Sequence, residues 1–274
     1  MTTPHDRFDW LERFPWPAAD AHKHARGRLG VVCGPLQTGA ARLAARAGLR
    51  IGAGVVTVLC PPEALALVAP ALTAVMVRPV AGAVDLAQAC AAMQAVVVGP
   101  GAGLTAQTRQ AVEALAALPA SLVIDADGLT VFQNHPGSLF ALLTADDVMT
   151  PHEGEFERLF PRLLAAQGRE AAAAEAAGRA GCIVLLKGPA TVIAAPDGRL
   201  AANPNGSPWL ATAGTGDVLA GMIGGLLAQG MEAFDASCAA AWIHAEAGRG
   251  FGPGLIAEDL PERTPDILRA LRGE

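Results

Sequence analysis

The 274-residue sequence lacks the features of several large classes of protein. It contains no run of Lys or Arg and its formal net charge is -6, so neither a nucleic acid nor an anionic membrane surface is expected as a partner. The N-terminus has no apolar core of a secretion signal, and no apolar stretch reaches the roughly 20 residues that span a bilayer. We therefore predict a cytoplasmic protein that has no membrane partner.

Cysteine pairs are also missing. The five cysteines are widely separated along the chain and lie mostly in apolar runs, at Cys33, Cys60, Cys90, Cys182 and Cys238. No C-x-x-C spacing occurs among them, so we predict buried free thiols in a reducing compartment.

The sequence carries none of four common catalytic motifs. It has no G-x-x-x-x-G-K-[ST], which excludes a P-loop, and its GPGAG segment does not match the G-x-G-x-x-G dinucleotide fingerprint. G-x-S-x-G and H-E-x-x-H are absent too. These absences argue against serine hydrolases of the nucleophile-elbow type and against zincins.

Apolar residues dominate what remains, since 52% of the side chains are hydrophobic. No linker or composition shift divides the chain, so we predict an N-terminal arm at residues 1–20 and one domain at residues 21–274. Short runs of continuous apolar residues alternate with Ala- and Leu-rich segments of helical length, and this pattern predicts a mostly parallel central sheet with helices on both faces, an α/β fold. The predicted strands are residues 29–34, 55–60, 75–77, 95–99, 122–125, 148–150 and 182–187.

The C-terminal third differs from this alternation. Residues 191–195 and 199–202, joined by Pro-Asp-Gly, predict a hairpin. Residues 165–180 precede it as one predicted helix, and three more helices are predicted at residues 216–229, 234–248 and 257–272.

Glycine and polar residues follow most of the predicted strands. In a sheet of this kind the ligand lies beyond the carboxyl ends of the strands, so these segments are expected to meet at one edge. The most informative is Thr212-Ala-Gly-Thr-Gly-Asp217, which opens an apolar helix. Open N–H groups at the start of that helix predict an anion pocket, and Asp217 on its first turn is a candidate base for phosphoryl transfer. The alternative is that Asp217 only caps a core helix.

These segments, taken in order, resemble the ADP- or ATP-dependent NAD(P)H-hydrate dehydratases of the ribokinase-like superfamily. The resemblance extends over most of the chain and is most specific in its last block together with TPHEGEF. Its segments are His22-Lys23, Gly34, Gly39-Ala40-Ala41, GPGAG, IDADGL, TPHEGEF, LLKGPATVI, Asn203-Pro204 and ATAGTGDVLAGMIGGLLAQG.

The resemblance implies a three-layer ribokinase-like α/β/α fold and a repair reaction on nicotinamide cofactors. The 6-hydroxyl of the S epimer of hydrated NADH or NADPH (NAD(P)HX) would be phosphorylated by ADP or ATP with Mg²⁺, and phosphate would then be eliminated to restore NAD(P)H. Asp217 is then the general base, and Glu155 is the residue that organises Mg²⁺. The residues implied in nucleotide binding are Lys187, Gly188, Pro189, Ala190, Thr191, Gly214, Thr215 and Gly216, and those implied in substrate binding are Ala40, Gly101, Gly103, His152, Asn203 and Asp217.

Several alternatives stay open at this point. His152 is also a plausible turn residue, Glu155 a carboxylate in the first turn of a helix, and Lys187 a solvated strand end. The GTGD block fits a small-molecule kinase of the hydroxyethylthiazole or hydroxymethylpyrimidine type equally well, whereas TPHEGEF with KGPAT favours the dehydratase. A non-catalytic nucleotide-binding protein is a third, less favoured alternative. Gly-Pro-Ala at 188–190 replaces a more common Gly-Ala-Gly, and the missing N–H of Pro189 predicts a weaker hold on one phosphate or a changed preference between ADP and ATP.

The resemblance also implies partners. Members of the family are often fused to an epimerase that interconverts the R and S hydrates; the residues before His22 are too few for such a domain, so we expect an epimerase on a separate chain. A homo-oligomer, a tetramer, is expected.

Overall fold

A nine-stranded sheet forms the centre of the protein in the computed structural model, which describes residues 9–273. The strands lie in the order β3-β2-β1-β4-β5-β6-β7-β8-β9. Strands β1 to β7 are parallel, whereas β8 and β9 are added as antiparallel neighbours. The strand bounds are β1 Arg28–Val32, β2 Val55–Cys60, β3 Met76–Pro79, β4 Ala95–Val98, β5 Ser121–Ile124, β6 Val148–Met149, β7 Ile183–Leu186, β8 Thr191–Ala194 and β9 Leu200–Asn203.

Helices cover both faces of this sheet. They are α1 Thr38–Arg50, α2 Leu65–Val68, α3 Gly82–Cys90, α4 Ala106–Leu115, α5 Asp127–Thr130, α6 Pro136–Phe140, α7 Glu153–Leu159, α8 Leu163–Gln167, α9 Arg169–Ala180, α10 Thr215–Ala228, α11 Ala233–Phe251 and α12 Asp259–Arg272. One core contains side chains of α1, α10 and α11, and a second core contains side chains of α3, α4 and α9.

The central strands are apolar throughout because both of their faces are covered. On β4, for example, Val97 points into the first core, whereas Val96 and Val98 point into the second. This three-layer arrangement confirms the predicted fold class, and the predicted hairpin is present as β8 and β9.

The predicted helix at residues 165–180 is interrupted. Gly168 adopts a φ of +76°, which a residue inside an α-helix cannot have, and it separates α8 from α9. The short helices α5 and α6 were not predicted, because segments of four or five residues show too little periodicity to be recognised, and the start of α7 was considered only as an alternative role for Glu155.

The N-terminal arm packs against α11, as far as the structure describes it. Trp10 and Phe14 are buried, and the ring of Trp10 lies 6.0 Å from that of Trp242. The guanidinium of Arg13 forms an ion pair with Asp235 on the same helix. The first eight residues of the predicted arm lie outside the described residues.

Two further sequence predictions have a structural outcome. All five cysteines are free thiols, four of them buried and Cys238 partly so. Among residues 9–273, none of the helices combines the length and the apolar character needed to cross a bilayer.

Candidate active site

Helix α10 begins at the carboxyl edge of the sheet with an open N-terminus. Gly214 occupies its N-cap position with a φ of +89° and provides no side-chain cap, so the first N–H groups of the helix remain available to a ligand. A Cβ atom at Gly214 would lie 2.7 Å from Leu43 Cδ1 and 2.9 Å from Ala257 Cβ. Both the backbone conformation and the close packing therefore require glycine here.

The first turn of α10 is fixed from behind by two polar side chains. The hydroxyl of Thr215 donates to the carbonyl of Leu210 at 2.8 Å. His244 on α11 places its Nε2 2.9 Å from the carbonyl of Thr215. Burial lowers the pKa of His244 to about 4, so the ring is neutral and its Nε2–H donates this bond. Sequence reasoning missed His244, which nothing in its apolar helix distinguishes.

A cluster of opposite charges faces this helix end. The ammonium of Lys187, which follows β7, lies 2.6 Å from Asp125 Oδ1 after β5 and 4.0 Å from Glu155 Oε2 on α7. It also lies 3.4 Å from the place where a Cβ on Gly216 would be. The strand exits of β5, β6 and β7 and the start of α10 therefore meet, as the sequence predicted.

Lys187 is held inside this cluster. Its side chain is only 19% exposed, so the alternative of a solvated strand end is wrong. Burial acts against the charged ammonium, but the negative charges of Asp125, Glu155 and Asp217 outweigh it and raise the pKa of Lys187. Lys187 is therefore a permanent positive charge beside the open N-terminus of α10.

Asp217 lies in the first turn of α10, and it is not the N-cap residue. Burial raises its pKa to about 6, and the negative charge of Asp125 acts in the same direction, whereas Lys187 acts against the shift. A carboxylate with this pKa is half protonated near pH 6 and can accept a proton near neutral pH. The pKa and the position together fit the predicted base.

Asp125 is the acidic residue that the sequence-based site left out. Its carboxylate is 2% exposed and pairs with Lys187 across 62 residues of chain. The next residue, Ala126, has a φ of +50°, a conformation that costs free energy for any residue except glycine. Asp127 then accepts a 2.8 Å hydrogen bond from the N–H of Gly103. This turn therefore connects the exit of β5 to the glycine-rich loop after β4.

His152 and Glu155 form a reciprocal cap at the start of α7. His152 Nδ1 accepts from the N–H groups of Gly154 at 3.0 Å and Glu155 at 3.2 Å, and Glu155 Oε2 accepts from His152 N at 2.8 Å. His152 therefore is a residue of the turn before α7, and Glu155 is a carboxylate in the first turn of that helix, which are the structural roles considered for them above. They do not exclude ligand contacts, because the His152 side chain is 54% exposed, and the Glu155 carboxylate, although 7% exposed, faces Lys187.

The carboxylates of this cluster suit a hard cation. Among the described residues, no three His, Cys, Asp or Glu side chains are arranged to hold a metal on their own. Mg²⁺ does not need such a cage, because it usually takes one or two carboxylates together with phosphates and water. The oxygen donors of Glu155 and Asp125 fit that partial role.

In the predicted nucleotide loop, residues 188–190 form an exposed turn between β7 and β8, and Thr191 is the first residue of β8. The guanidinium of Arg169 stabilises this turn by donating hydrogen bonds to the carbonyls of Leu186 and Lys187, both at 3.1 Å. A Cβ on Gly188 would lie 2.4 Å from the Arg169 guanidinium, so a larger residue here would displace the end of that side chain. Arg169 is a second residue that the sequence did not identify.

The residues predicted to bind substrate are only partly brought together. A Cβ on Gly101 would lie 2.6 Å from Gln37 O and 3.2 Å from the methyl group of Ala40, so the loops after β1 and β4 touch. Asn203 differs from this group because it is buried and its amide donates to the carbonyl of Ala241 at 3.0 Å. That contact fastens β9 to α11 and gives no support to a role in substrate binding.

The sheet order and the open helix end at its carboxyl edge define the class of protein. A ribokinase-like superfamily protein from Enterococcus faecalis superposes with a TM-score of 0.86 at 26% identity, over 96% of this chain and 94% of that one. The fold is therefore ribokinase-like.

The family within this superfamily can also be identified. Residues 29–263 match the family model described as NAD(P)H-hydrate dehydratase, and the chain belongs to this family. The bifunctional NAD(P)H-hydrate repair enzyme Nnr of Salinibacter ruber is 37% identical over 279 residues, which is 94% of this chain and 52% of that protein. This chain thus spans about half the length of the curated relatives it matches.

A solved structure of similar extent carries the same family name. It is the ADP/ATP-dependent NAD(P)H-hydrate dehydratase of Bacillus subtilis, co-crystallised with ATP/Mg²⁺. It is 25% identical, with a TM-score of 0.83 over 98% of this chain and 99% of that one. The family predicted from the sequence is therefore confirmed.

Proposed function

We propose that this protein converts the S epimer of hydrated NADH or NADPH back to the reduced cofactor, with ADP or ATP as phosphoryl donor. The observation that most supports this proposal is the environment of Asp217. This residue stands at an open helix N-terminus beside a buried ammonium, and its pKa is raised to about 6. Family membership supplies the substrate class, which the geometry of a phosphoryl-transfer site does not specify by itself.

The chemistry balances in two steps. In the first, the 6-hydroxyl oxygen attacks the terminal phosphorus, its proton passes to Asp217, and the bond from that phosphorus to the nucleotide breaks. In the second, the ring nitrogen lone pair expels phosphate from C6, and a proton passes from C5 to the departing phosphate or to water, which restores the double bond. Phosphorylation is needed because hydroxide is a poor leaving group.

The residues around Asp217 are suited to the first step. The N–H groups of Thr215 and Gly216 at the start of α10 would bind oxygens of the transferring phosphoryl group, and the Lys187 ammonium would offset its charge. Residues 188–191 would hold the remaining phosphates of the donor by backbone and hydroxyl groups. Burial of Lys187 and of the start of α10 strengthens the interactions made there, since little water competes with them.

Mg²⁺ belongs to the proposal as the partner of the nucleotide phosphates. Glu155 would hold it, together with Asp125, and the ion would neutralise negative charge on the phosphates. The exposed face of His152, with Ala40, Gly101 and Gly103, would contact the hydrated cofactor.

The cellular setting is proposed on family grounds. We infer a cytoplasmic homotetramer that acts on the S hydrate and depends on an epimerase activity for the R hydrate. If this is so, purified protein will leave the R hydrate unchanged until an epimerase is added. Consumption of the R hydrate by the protein alone would contradict it.

The activity can be tested with purified protein, Mg²⁺, the S hydrate and either nucleotide. The dehydratase predicts that the absorbance band of the dihydronicotinamide ring returns, with one phosphate released for each ring restored. A stable phosphorylated product without ring recovery would instead indicate a small-molecule kinase, and nucleotide binding without turnover would indicate a non-catalytic binding protein.

A further inference from the structure

A cavity of about 350 Å³ opens at the carboxyl ends of β1, β2 and β4, on the face of the sheet that α3 and α4 cover. Its inner wall is apolar and includes the buried side chains of Leu59, Leu86 and Val98. The exposed residues of its lining include Gln107 and Gln110 on α4. No role in the proposed reaction has used this space so far.

The lining of the cavity suits a neutral ring and disfavours a phosphate. Among the described residues that line it, Glu63 is the only acid or base of the Asp, Glu, Lys and Arg type. Cys33 also lines it, and burial raises the pKa of that thiol to about 11, so it stays neutral. Apolar walls with a few amide groups are typical of sites for heteroaromatic rings, whose edges donate and accept hydrogen bonds. A purine has this chemistry.

The position of the cavity indicates which of the two nucleotides would supply the purine. Along the sheet, β1 is two strands from β5, which carries Asp125, and four strands from β7, which precedes the donor loop. At the usual strand spacing these separations are about 10 Å and about 19 Å. A donor with its phosphates at Lys187 would have to reach past the reacting groups to fill the cavity, whereas the hydrated dinucleotide reacts at Asp217 and has to extend away from the donor.

A path from Asp217 to the cavity exists over the loop at residues 99–103. Gly101 and Gly103 carry no side chain, and Ala102 between them lines the cavity. The N–H of Gly103 is anchored on Asp127, two residues after Asp125. The sugar and phosphate groups of a dinucleotide could therefore cross the sheet edge close to the backbone.

We propose that this cavity binds the purine of the hydrated dinucleotide, so that the substrate extends from Asp217 across residues 99–103 to the space between α3 and α4. This inference rests on the proposed function, and it adds a binding site for the purine, to which the residues around Asp217 assign none.

The cavity can be filled without touching the charged cluster. Ala83, on α3, lines it and is half-buried, and Ala83→Trp would occupy its volume. Val84→Trp is the matched control, because Val84 is the next residue on the same helix, is 74% exposed and does not belong to the lining. Thermal unfolding of both variants would show whether each is folded.

Steady-state kinetics of both variants with hydrated NADH and ADP test the inference. We expect Ala83→Trp to raise KM for hydrated NADH by about 5- to 100-fold, because the base can no longer bury its apolar surface, with KM for ADP and kcat within about twofold of wild type. Val84→Trp should match wild type. Hydrated reduced nicotinamide mononucleotide, which has no purine, should be turned over equally by the wild type and Ala83→Trp.

Three results would overturn it. Unchanged KM for hydrated NADH in Ala83→Trp would show that the substrate does not enter the cavity, and a raised KM for ADP would assign the cavity to the purine of the donor. A parallel loss with the mononucleotide would show that the substitution disturbs the reacting centre instead. Absence of wild-type turnover is a separate result, and it would refute the proposed function itself.

Discussion

Asp217→Asn tests the assigned base, because it removes the carboxylate and keeps the size of the side chain. A well-placed general base contributes about a hundred- to ten-thousand-fold, so kcat should fall by that factor. ADP binding should remain, since the contacts proposed for the donor come from Lys187, Gly188 and the helix N-terminus.

The pH dependence of kcat/KM is a second test of Asp217 as the base. With a pKa raised to about 6, Asp217 is about one tenth ionised at pH 5 and about nine tenths ionised at pH 7. The logarithm of kcat/KM in the wild type should therefore rise with a slope of about one below pH 6 and flatten above it.

The raised pKa of Asp217 also predicts that stability changes with pH in the direction opposite to the rate. A carboxyl whose folded pKa is raised favours the folded state below its unfolded pKa, and this contribution is lost as the pH rises through about 6. Asp217→Asn removes the cost of holding a buried charge and should therefore raise Tm at pH 8 relative to wild type, but not at pH 4. Asp266→Asn, at an exposed position on α12, is the control and should change neither rate nor pH profile.

The reasoning would be refuted by an Asp217→Asn enzyme that retains its rate, or by a wild-type rate that stays constant from pH 5 to pH 7. A variant that has lost both turnover and ADP binding would point to a disordered helix start instead of a missing base.

Substitutions at Asp125, Lys187 and Gly214, two of them with a control variant, test the cluster and the helix cap. Asp125→Asn removes a negative charge that raises the pKa of Asp217, so the acidic limb of the pH–rate profile should move to lower pH; an unchanged or raised limb would contradict this coupling. Lys187→Met leaves the buried Asp125 carboxylate without its partner and should lower the free energy of unfolding by about 3–5 kcal/mol in urea titrations, while Lys187→Arg should lose less. Gly214→Ala adds clashes at 2.7 and 2.9 Å to a positive φ, whereas Gly230→Ala has a similar φ and no neighbours within 4 Å. Gly230→Ala should therefore cost only the conformational term of about 1 kcal/mol, and equal losses of stability in the two alanine variants would show that packing around Gly214 contributes nothing.

The layers of the fold could be predicted because they depend on local pattern. Strands such as β4 and β7 are buried on both faces and are short continuous apolar runs, and their short length distinguishes them from the longer apolar run of α10. The break at Gly168 could not be predicted in this way, since glycine is tolerated within many helices and only the tertiary structure sets its φ to +76°.

The residues of the candidate site also differ in whether local sequence or only the tertiary structure identifies them. Gly214 and Asp217 stand in one short segment that indicates an anion pocket, and the other strand exits and the family resemblance add Lys187 and decide between phosphate chemistry and a helix cap. Asp125 and Arg169 become informative only through partners distant in sequence, because a carboxylate after one strand and a guanidinium on a surface helix have many possible roles. Asn203 shows the converse, since a residue carried over by resemblance has contacts in the structure that concern packing alone.

The fate of the hydroxyl oxygen tests the central claim most directly. If Asp217 activates the 6-hydroxyl for phosphorylation and phosphate then leaves, a substrate labelled with a heavy oxygen isotope at C6 must deliver that label to the released phosphate. Mass spectrometry of the phosphate after single-turnover reaction with ADP or ATP should find one labelled oxygen in each molecule. Unlabelled phosphate, with the isotope in water, would show that the hydroxyl leaves without being phosphorylated and would contradict the account.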